Sequence, residues 1–176
     1  AWPSMGMNRR LALGSTCLFL ENARVLGNLV FSGILERFPD LRIVSVESGI
    51  GWIPFLLEAL DYEWDETGCG AEQKLSMKPS DYFRRQIYGC FWFERTGPRD
   101  LVDQIGEDNL LFETDFPHPT CLYPSVQDHL VEVTADWSES RRRKILQDNA
   151  AALYRVALPE PDRARARPSA EREGER

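Results

Sequence analysis

The chain has 176 residues, a formal net charge of −7 and a hydrophobic fraction of 43%. This length and composition are typical of a globular protein with one hydrophobic core. The negative charge argues against a nucleic-acid partner, and the lack of a long apolar run argues against a membrane. The four cysteines form no C-x-x-C pair. We therefore expect no zinc knuckle or disulfide framework, and reduced thiols without a clear signal peptide predict a cytoplasmic location.

The first half of the chain alternates between apolar periodic segments and short breaks. Residues 1–20 contain Pro3, Gly6 and Gly14 and are predicted to form a loop. Apolar residues then recur at helical spacing, and a segment rich in β-branched residues follows. The predicted order is helix 21–38, strand 41–47, helix 52–66, polar loop 67–78 and helix 79–86.

The second half repeats the alternation of strand and helix. The predicted order is strand 87–93, a short helix ending at Gly106, strand 108–115, a helix after Pro124 and a last helix opened by Ser138. Strands separated by helices are typical of βα units and a parallel sheet, so an α/β fold is predicted over residues 1–157. Residues 158–176 are mostly Pro, Ala, Arg and Glu and are predicted to be a disordered charged tail.

Ionisable residues are concentrated where strand 108–115 ends. Alternation places Glu113 and Asp115 on one face of the strand, and His118 follows between two prolines that cannot continue the sheet. An acid at the carboxyl end of a strand is the usual position of chemistry in α/β proteins. The alternative interpretation is a capped turn with a surface histidine. For Glu113, a buried ion pair and a functional role are both open.

Glu47 repeats this arrangement at the end of strand 41–47. The carboxyl ends of parallel barrel strands meet at one rim, so Glu47 and Asp115 are expected to face the same site. The G-I-G segment that follows is interpreted as a tight turn, because it lacks the third glycine or the lysine of a phosphate-binding loop. The second histidine, His129, is predicted to lie on a helix surface.

Four segments of the chain resemble one family of enzymes, the amidohydrolase-related metal-dependent hydrolases, which include aminocarboxymuconate-semialdehyde decarboxylase. The segments are F-P-D-L-R-I-V-S-V-E-S-G (38–49), P-S-D-Y-F (79–83), F-E-T-D-F-P-H-P (112–119) and K-I-L-Q-D-N-A-A-A-L-Y (144–154). The resemblance implies the C-terminal portion of a TIM (β/α)8 barrel, with the three predicted strands as its sixth, seventh and eighth. A complete barrel needs about 250 residues, more than this chain has.

The resemblance also implies a metal site. In that family, an Asp at the position of Asp115 binds the metal, and a His at the position of Glu47 helps to activate the metal-bound water. Asp115, Glu47 and His118 are therefore the predicted catalytic residues, with Asp115 and Glu47 as predicted metal ligands. The expected cofactor is a divalent metal, with zinc first and manganese or iron as alternatives.

The rest of the family's metal ligands are not in this sequence. A His-x-His pair and a further histidine from earlier strands are missing, because the chain has only two histidines. Most ligands are therefore expected outside this chain, and the 176 residues alone are expected to have little or no activity.

The predicted function is metal-dependent hydrolysis or decarboxylation of a small organic substrate through a metal-activated water, with carboxylate-bearing molecules among the candidates. Two alternatives remain open. One is a metal-free hydrolase that uses Glu47 and Asp115 as a carboxylate pair. The other is a non-catalytic, truncated barrel fragment. Exposed sheet edges in an incomplete barrel predict a homo-oligomer or other self-association.

Overall fold

A computed structural model describes residues 4–158, in which helices surround one three-stranded sheet. The strands are β1 (Ile43–Ser45), β2 (Ile87–Phe91) and β3 (Leu110–Phe112). The α-helices of this part of the chain are α1 (Met7–Phe31), α2 (Ile34–Arg37), α3 (Ile53–Thr67), α4 (Cys69–Gln73), α5 (Pro79–Gln86), α6 (Thr96–Asp100), α7 (Val102–Ile105), α8 (Val126–Val133), α9 (Glu139–Arg143) and α10 (Asn149–Tyr154). A 3-10 turn spans Glu107–Asn109, and a π-helical turn, Lys144–Asp148, joins α9 to α10.

The sheet is parallel, with the order β1-β2-β3. Ile43 pairs with Ile87, and Gly89 of β2 is level with Ser45 on one side and Leu110 on the other. The successive parallel strands are connected through helices, as the sequence predicts. All three strands therefore end at the same edge of the sheet, which we call the carboxyl edge.

The core lies between the sheet and the helices that pack against it. Its fully buried members include Ile53, Phe91, Ile105 and Ile145. Gly89 allows this close packing, because a Cβ atom there would lie 2.7 Å from Cδ1 of Ile53 on α3. Helix α3 can therefore approach strand β2 more closely than it could if residue 89 had a side chain.

Two asparagine side chains fix the chain where it enters β2 and where it enters β3. The amide of Asn109 donates to the carbonyls of Arg84 (2.9 Å) and Ile87 (2.8 Å). The amide of Asn149 on α10 donates to the carbonyls of Glu107 (2.7 Å) and Leu110 (2.8 Å). These bonds satisfy backbone groups that the short strand leaves unpaired, and they hold β3 firmly below the carboxyl edge.

The loop predicted over residues 1–20 is wrong for residues 7–20, and residues 1–3 lie outside the described part of the chain. Residues 7–20 form the first part of α1, which continues to Phe31. This part of the helix is mostly exposed, so it has no buried apolar stripe for the sequence pattern to reveal. Good helix-forming residues such as Leu, Ala and Arg sustain it, and Gly14 costs only about 1 kcal/mol relative to Ala.

The predicted helix 21–38 is interrupted at residues 32–33 between α1 and α2, and the other predicted helices and strands are confirmed, with shorter strands. Helices 52–66 and 79–86 correspond to α3 and α5, and Ser138 caps the last helical segment by accepting from the N–H of Arg141 at 3.2 Å. The loop predicted over 67–78 contains the short helix α4. The predicted strands 41–47 and 108–115 are longer than β1 and β3 at both ends, and the predicted strand 87–93 is longer than β2 at its carboxyl end. The acidic residues thus follow the strands instead of lying within them.

No helix among residues 4–158 is long and apolar enough to cross a membrane. The charged tail predicted over 158–176 lies outside the described residues except for Leu158, so the division at residue 157 stays a prediction.

Candidate functional site

Four carboxylates follow the three strands at the carboxyl edge. Glu47 comes two residues after β1, Glu94 comes three residues after β2, and Glu113 and Asp115 follow β3. Parallel strands bring these segments to one edge, as the sequence predicts for Glu47 and Asp115. The charges of Glu47, Asp115 and Glu94 all raise the pKa of Glu113, which places the four groups in one electrostatic neighbourhood.

Asp115 is the most enclosed of the predicted site residues. Its side chain is 8% exposed, and its backbone has a left-handed φ of 60°. Oδ2 lies 3.0 Å from Nδ1 of His118 and accepts a hydrogen bond from Oγ1 of Thr120 at 3.1 Å. Within residues 4–158, no hydrogen bond reaches the other carboxylate oxygen, Oδ1. One oxygen is thus held in place while the other remains available to a ligand.

His118 completes a three-membered cluster with Asp115 and Thr120. Its Nδ1 is 2.9 Å from Oγ1 of Thr120, and its ring is 60% exposed. The N–H of His118 donates to the carbonyl of Asp115 at 2.8 Å, which closes a turn just after the strand. The prolines on either side of His118 prevent this segment from continuing the sheet. His118 therefore supports Asp115 and leaves Nε2 facing outward for chemistry or solvent.

The backbone of Glu47 is in direct contact with the side chain of Glu113. The N–H of Glu47 donates to Oε1 of Glu113 at 2.8 Å. Glu47 has a left-handed φ of 53°, and its side chain is exposed. Glu113 is half-buried, and burial together with the neighbouring carboxylates raises its pKa to about 7. Among residues 4–158 Glu113 has no ion pair, and its carboxylate binds the Glu47 backbone. A functional role for Glu113 stays a prediction.

Glu94 is a site residue that the sequence analysis missed. Its carboxylate accepts the N–H of Ile50 at 2.8 Å and the N–H of Gly51 at 2.9 Å. Burial raises the pKa of Glu94, and these two N–H groups act in the opposite direction. The one sequence feature that could have indicated Glu94 is that it is an acid just after an apolar strand, as Glu47 is.

His129 is not on the surface, so this prediction is wrong. Its residue is 7% exposed, and its Nε2 is buried without a hydrogen-bond partner among the described residues. Burial lowers the pKa of the imidazole, and the nearby Arg95 adds to this effect. The two-turn helix α8 around it shows a polar face in the sequence, but His129 packs against the segment after β2.

Asp115 fits the chemistry of a hard or borderline divalent cation. Carboxylate oxygens are preferred ligands of such ions, and its Oδ1 is accessible at a fixed position. However, no group of three His, Cys, Asp or Glu side chains suited to a metal ion occurs within residues 4–158. The described residues can thus supply part of a metal site, and the exposed Glu47 carboxylate is the second donor the sequence predicts.

An open concavity of about 580 Å³ lies away from these acids. It is bordered by α3, α4 and the segment after α4, and its lining includes Trp64, Lys74 and Leu75. None of the four carboxylates lines it. The candidate site is therefore identified by its donor groups and not by cavity size.

The amidohydrolase family model matches residues 19–156, which is most of the chain. The chain belongs to the amidohydrolase family. The match begins within α1 and ends just after α10, so it includes all three strands and every acid at the carboxyl edge. The resemblance seen in the four sequence segments is confirmed.

Two curated relatives are named gamma-resorcylate decarboxylase. The one from Polaromonas sp. is 31% identical over 158 residues, and the one from Rhizobium sp. is 27% identical over 156 residues. Each alignment includes 82% of this chain but only 44% and 43% of the respective relative. The chain therefore spans less than half the length of these enzymes.

Solved structures show the same fold. The chain matches an amidohydrolase (map2389c) from Mycobacterium avium subsp. paratuberculosis with a TM-score of 0.59 at 28% identity, over 73% of this chain and 32% of that one. It matches 5-carboxyvanillate decarboxylase LigW from Sphingomonas paucimobilis with a TM-score of 0.62 at 26% identity, over 74% of this chain and 38% of that one.

A third solved structure that the chain matches is a dihydroxybenzoic acid decarboxylase from Polaromonas sp., which holds manganese and the inhibitor 2-nitroresorcinol. Its TM-score is 0.65 at 24% identity, over 91% of this chain and 48% of that one. At this identity the match shows the fold alone. Together with the parallel sheet, it confirms that the chain forms part of an amidohydrolase-type (β/α)8 barrel.

Proposed function

We propose that the protein carrying this chain is a divalent-metal-dependent decarboxylase of small aromatic carboxylic acids, with hydrolysis as the alternative reaction. The observation that carries the proposal is Asp115. It is an enclosed carboxylate at the carboxyl end of β3, with one oxygen held by His118 and Thr120 and the other available. An oxygen donor fixed in this way suits a metal ligand better than it suits a surface turn.

Decarboxylation is preferred over hydrolysis because of the relatives. The two gamma-resorcylate decarboxylases and the 5-carboxyvanillate decarboxylase are named for aromatic acids. This chain shares 26–31% identity with them in the region that holds the four carboxylates. The same substrate class is therefore the first to test.

Asp115 would hold the metal through Oδ1, and Glu47 would be the second donor or the acid–base group. A bound divalent cation supplies Lewis-acid polarisation and charge neutralisation for an anionic substrate. When the C–C bond to the carboxylate breaks and CO2 leaves, the ring carbon must gain a proton. In this proposal, the exposed carboxyl group of Glu47 would deliver that proton, in the position where the resembled family has a histidine.

The metal's identity remains part of the proposal. The Polaromonas dihydroxybenzoic acid decarboxylase holds manganese, so manganese is tested beside zinc and iron. Carboxylate donors such as Asp115 and Glu47 suit manganese well, whereas zinc favours sites richer in histidine or cysteine. The remaining ligands would come from parts of the barrel that the relatives have and this chain does not span.

The test uses the protein that carries this chain, at its full natural length. The protein is treated with a chelator and then supplied with manganese, zinc or iron(II). Loss of gamma-resorcylate or 5-carboxyvanillate and release of CO2 are followed, beside hydrolysis of a simple ester. The expected result is that chelation abolishes CO2 release and that one metal restores it.

Each other outcome identifies an alternative. Hydrolysis that resists chelation would favour the metal-free pair of Glu47 and Asp115. No metal uptake and no turnover of any substrate would favour a non-catalytic protein. Metal-dependent ester hydrolysis without CO2 release would keep the metal site but replace the decarboxylase proposal.

A further inference from the structure

The turn after β1 is held by carboxylates from the ends of the other two strands. The turn is defined here as residues 47–51. It begins with Glu47 and contains Gly49, and both residues have left-handed backbones, with φ of 53° and 68°. A glutamate adopts this conformation only where surrounding contacts impose it, because its Cβ then lies close to its own backbone.

Glu94 provides most of these contacts. Its Oε1 accepts the N–H of Ile50 at 2.8 Å and the N–H of Gly51 at 2.9 Å, and its Oε2 lies 3.1 Å from the N–H of Ile50. Hydrogen bonds from backbone N–H groups to a carboxylate are stronger and shorter than neutral ones. Glu94 therefore binds the far end of the turn, three to four residues after Glu47.

The turn is also shaped around the Glu94 carboxylate. A Cβ atom on Gly49 would lie 2.6 Å from the carboxylate carbon of Glu94 and 2.7 Å from both of its oxygens. Gly97, shortly after Glu94 in the chain, is equally crowded by the side chain of Ile50 at 2.7 Å. The two glycines thus leave space in which the Glu94 carboxylate and the turn fit closely together.

Glu113 fixes the other end of the same turn. It accepts the N–H of Glu47 at 2.8 Å. The backbone of Glu47 is therefore held on one side directly by Glu113, and on the other side through the turn by Glu94. Neither contact involves the Glu47 carboxylate, which remains exposed at the carboxyl edge.

We propose that Glu94 is a positioning residue, which holds the 47–51 turn in the conformation that presents the Glu47 carboxylate to the substrate. The inference rests on the role proposed above for Glu47. Glu94 need not touch the substrate, because its three backbone contacts all lie within the turn. Its effect on the reaction passes through Glu47.

Two substitutions distinguish positioning from simple loss of charge. In Glu94→Gln, the amide oxygen can replace Oε1 and keep the bonds from Ile50 and Gly51, although the amide N–H groups then face the N–H of Ile50. In Glu94→Ala, all three contacts are lost. The matched control is Glu132→Ala, which removes a nearby carboxylate whose partner is the exposed Arg95.

The experiment measures kcat, KM and backbone amide hydrogen exchange in the protein that carries this chain, in the wild-type and Glu47→Gln backgrounds. Glu94→Ala is expected to speed exchange in the 47–51 turn by about tenfold or more, without changing exchange in β2. It is expected to lower kcat by about tenfold with little change in KM, and Glu94→Gln should recover most of that loss. Glu132→Ala should change neither.

The double substitution decides whether Glu94 acts through Glu47. In the Glu47→Gln background, Glu94→Ala should have almost no further effect on kcat. Equal losses in both backgrounds would overturn the inference, because they would show that Glu94 acts independently of Glu47. Unchanged exchange in the turn after Glu94→Ala would overturn it as well.

Failure of the proposed function gives a different result. If the proposed function is wrong, the wild-type protein and the Glu94 variants alike will show no metal-dependent turnover. In that case the exchange data decide whether Glu94 positions Glu47: faster exchange at Glu47 itself supports it, and unchanged exchange rejects it.

Discussion

At the scale of single residues, the site is defined by carboxylates that play different parts. Asp115 is enclosed and supported by His118, Glu47 is exposed, and Glu94 and Glu113 accept backbone N–H groups. Four like charges at one edge repel each other, so this arrangement costs stability unless a cation or a proton compensates. Glu113 shows this cost most clearly, because its pKa is raised to about 7.

The raised pKa of Glu113 predicts a pH dependence of stability. A carboxyl group with an ordinary pKa of 4.5 that titrates at about 7 in the folded protein binds its proton more tightly when folded. Its contribution is therefore present at low pH and is lost as the pH rises from about 4.5 to about 7. Glu113→Gln keeps an acceptor for the N–H of Glu47 without the charge, so its unfolding free energy should fall less over this range than that of the wild type.

The measurement is urea unfolding at about pH 5 and about pH 8, with a chelator present so that no cation masks the repulsion. Glu132→Gln is the control, because Arg95 holds the pKa of Glu132 below its ordinary 4.5 and its titration lies at lower pH. An identical pH dependence in wild type and Glu113→Gln would contradict the electrostatic description of the site.

The sequence predicts Asp115, Glu47 and His118 as site residues, because strand ends followed by acids and prolines are visible as a pattern. It could not show that Asp115 and His118 touch, or that Glu113 binds the Glu47 backbone, since both contacts depend on left-handed turns. Glu94 was missed because its three bonds go to a turn more than forty residues earlier in the chain. The burial of His129 depends in the same way on packing between distant segments.

At the scale of elements, α1 departs most from the sequence prediction. Its first half, residues 7–20, carries exposed Leu11 (68%) and Leu18 (67%) and has few buried contacts. Periodicity detects helices that bury one face, so an exposed helix gives no such signal. The strands were predicted because segments of β-branched and aromatic residues lie between the predicted helices. The predicted strands are too long, because the turns that end the regular pairing are not visible in the residue pattern.

The helical state of residues 7–20 can be tested at Gly14. A Cβ atom at this position would meet no atom within 4 Å, so only helix propensity is affected. Gly14→Ala should stabilise the protein by about 0.5–1 kcal/mol and raise its helical circular dichroism. A loop at this position would show no such gain.

Gly49→Ala is the matched substitution with the opposite expected sign. Gly49 has a left-handed φ and no space for a Cβ beside the Glu94 carboxylate, so the alanine variant should be clearly destabilised. Thermal unfolding of both variants gives the comparison. Stabilisation by both would contradict the geometry of the 47–51 turn.

At the scale of the whole molecule, the chain is one part of a barrel. Among residues 4–158, β1 and β3 are the outer strands of the sheet, and the relatives are more than twice as long as the part that matches. The family, the parallel sheet and the barrel type could be predicted from motifs and from the βα alternation. The substrate and the complete ligand set could not, because they depend on segments that this chain does not span.

Open strand edges and an exposed apolar helix lead us to propose that the 176-residue chain associates with further copies of itself. Edge strands offer unpaired N–H and C=O groups, and Leu11 and Leu18 on α1 are separately exposed apolar side chains. Sedimentation velocity should show a sedimentation coefficient that rises with concentration. The double variant Leu11→Lys, Leu18→Lys should reduce this association, whereas Val131→Lys, at an equally exposed position on α8, should not. A monomer at every concentration would contradict the proposal.

The measurement that most directly tests the central claim is the metal content and CO2 release of the Asp115→Asn variant, in the protein that carries this chain. The substitution keeps the shape of the side chain and one acceptor for Thr120, but removes the negative charge that makes a carboxylate a strong ligand of a divalent cation. Asp40→Asn, in an exposed turn before β1, is the control. We predict that Asp115→Asn loses both the bound metal and metal-dependent CO2 release, while Asp40→Asn keeps both. Unchanged metal content and turnover in Asp115→Asn would contradict the claim that Asp115 holds the metal.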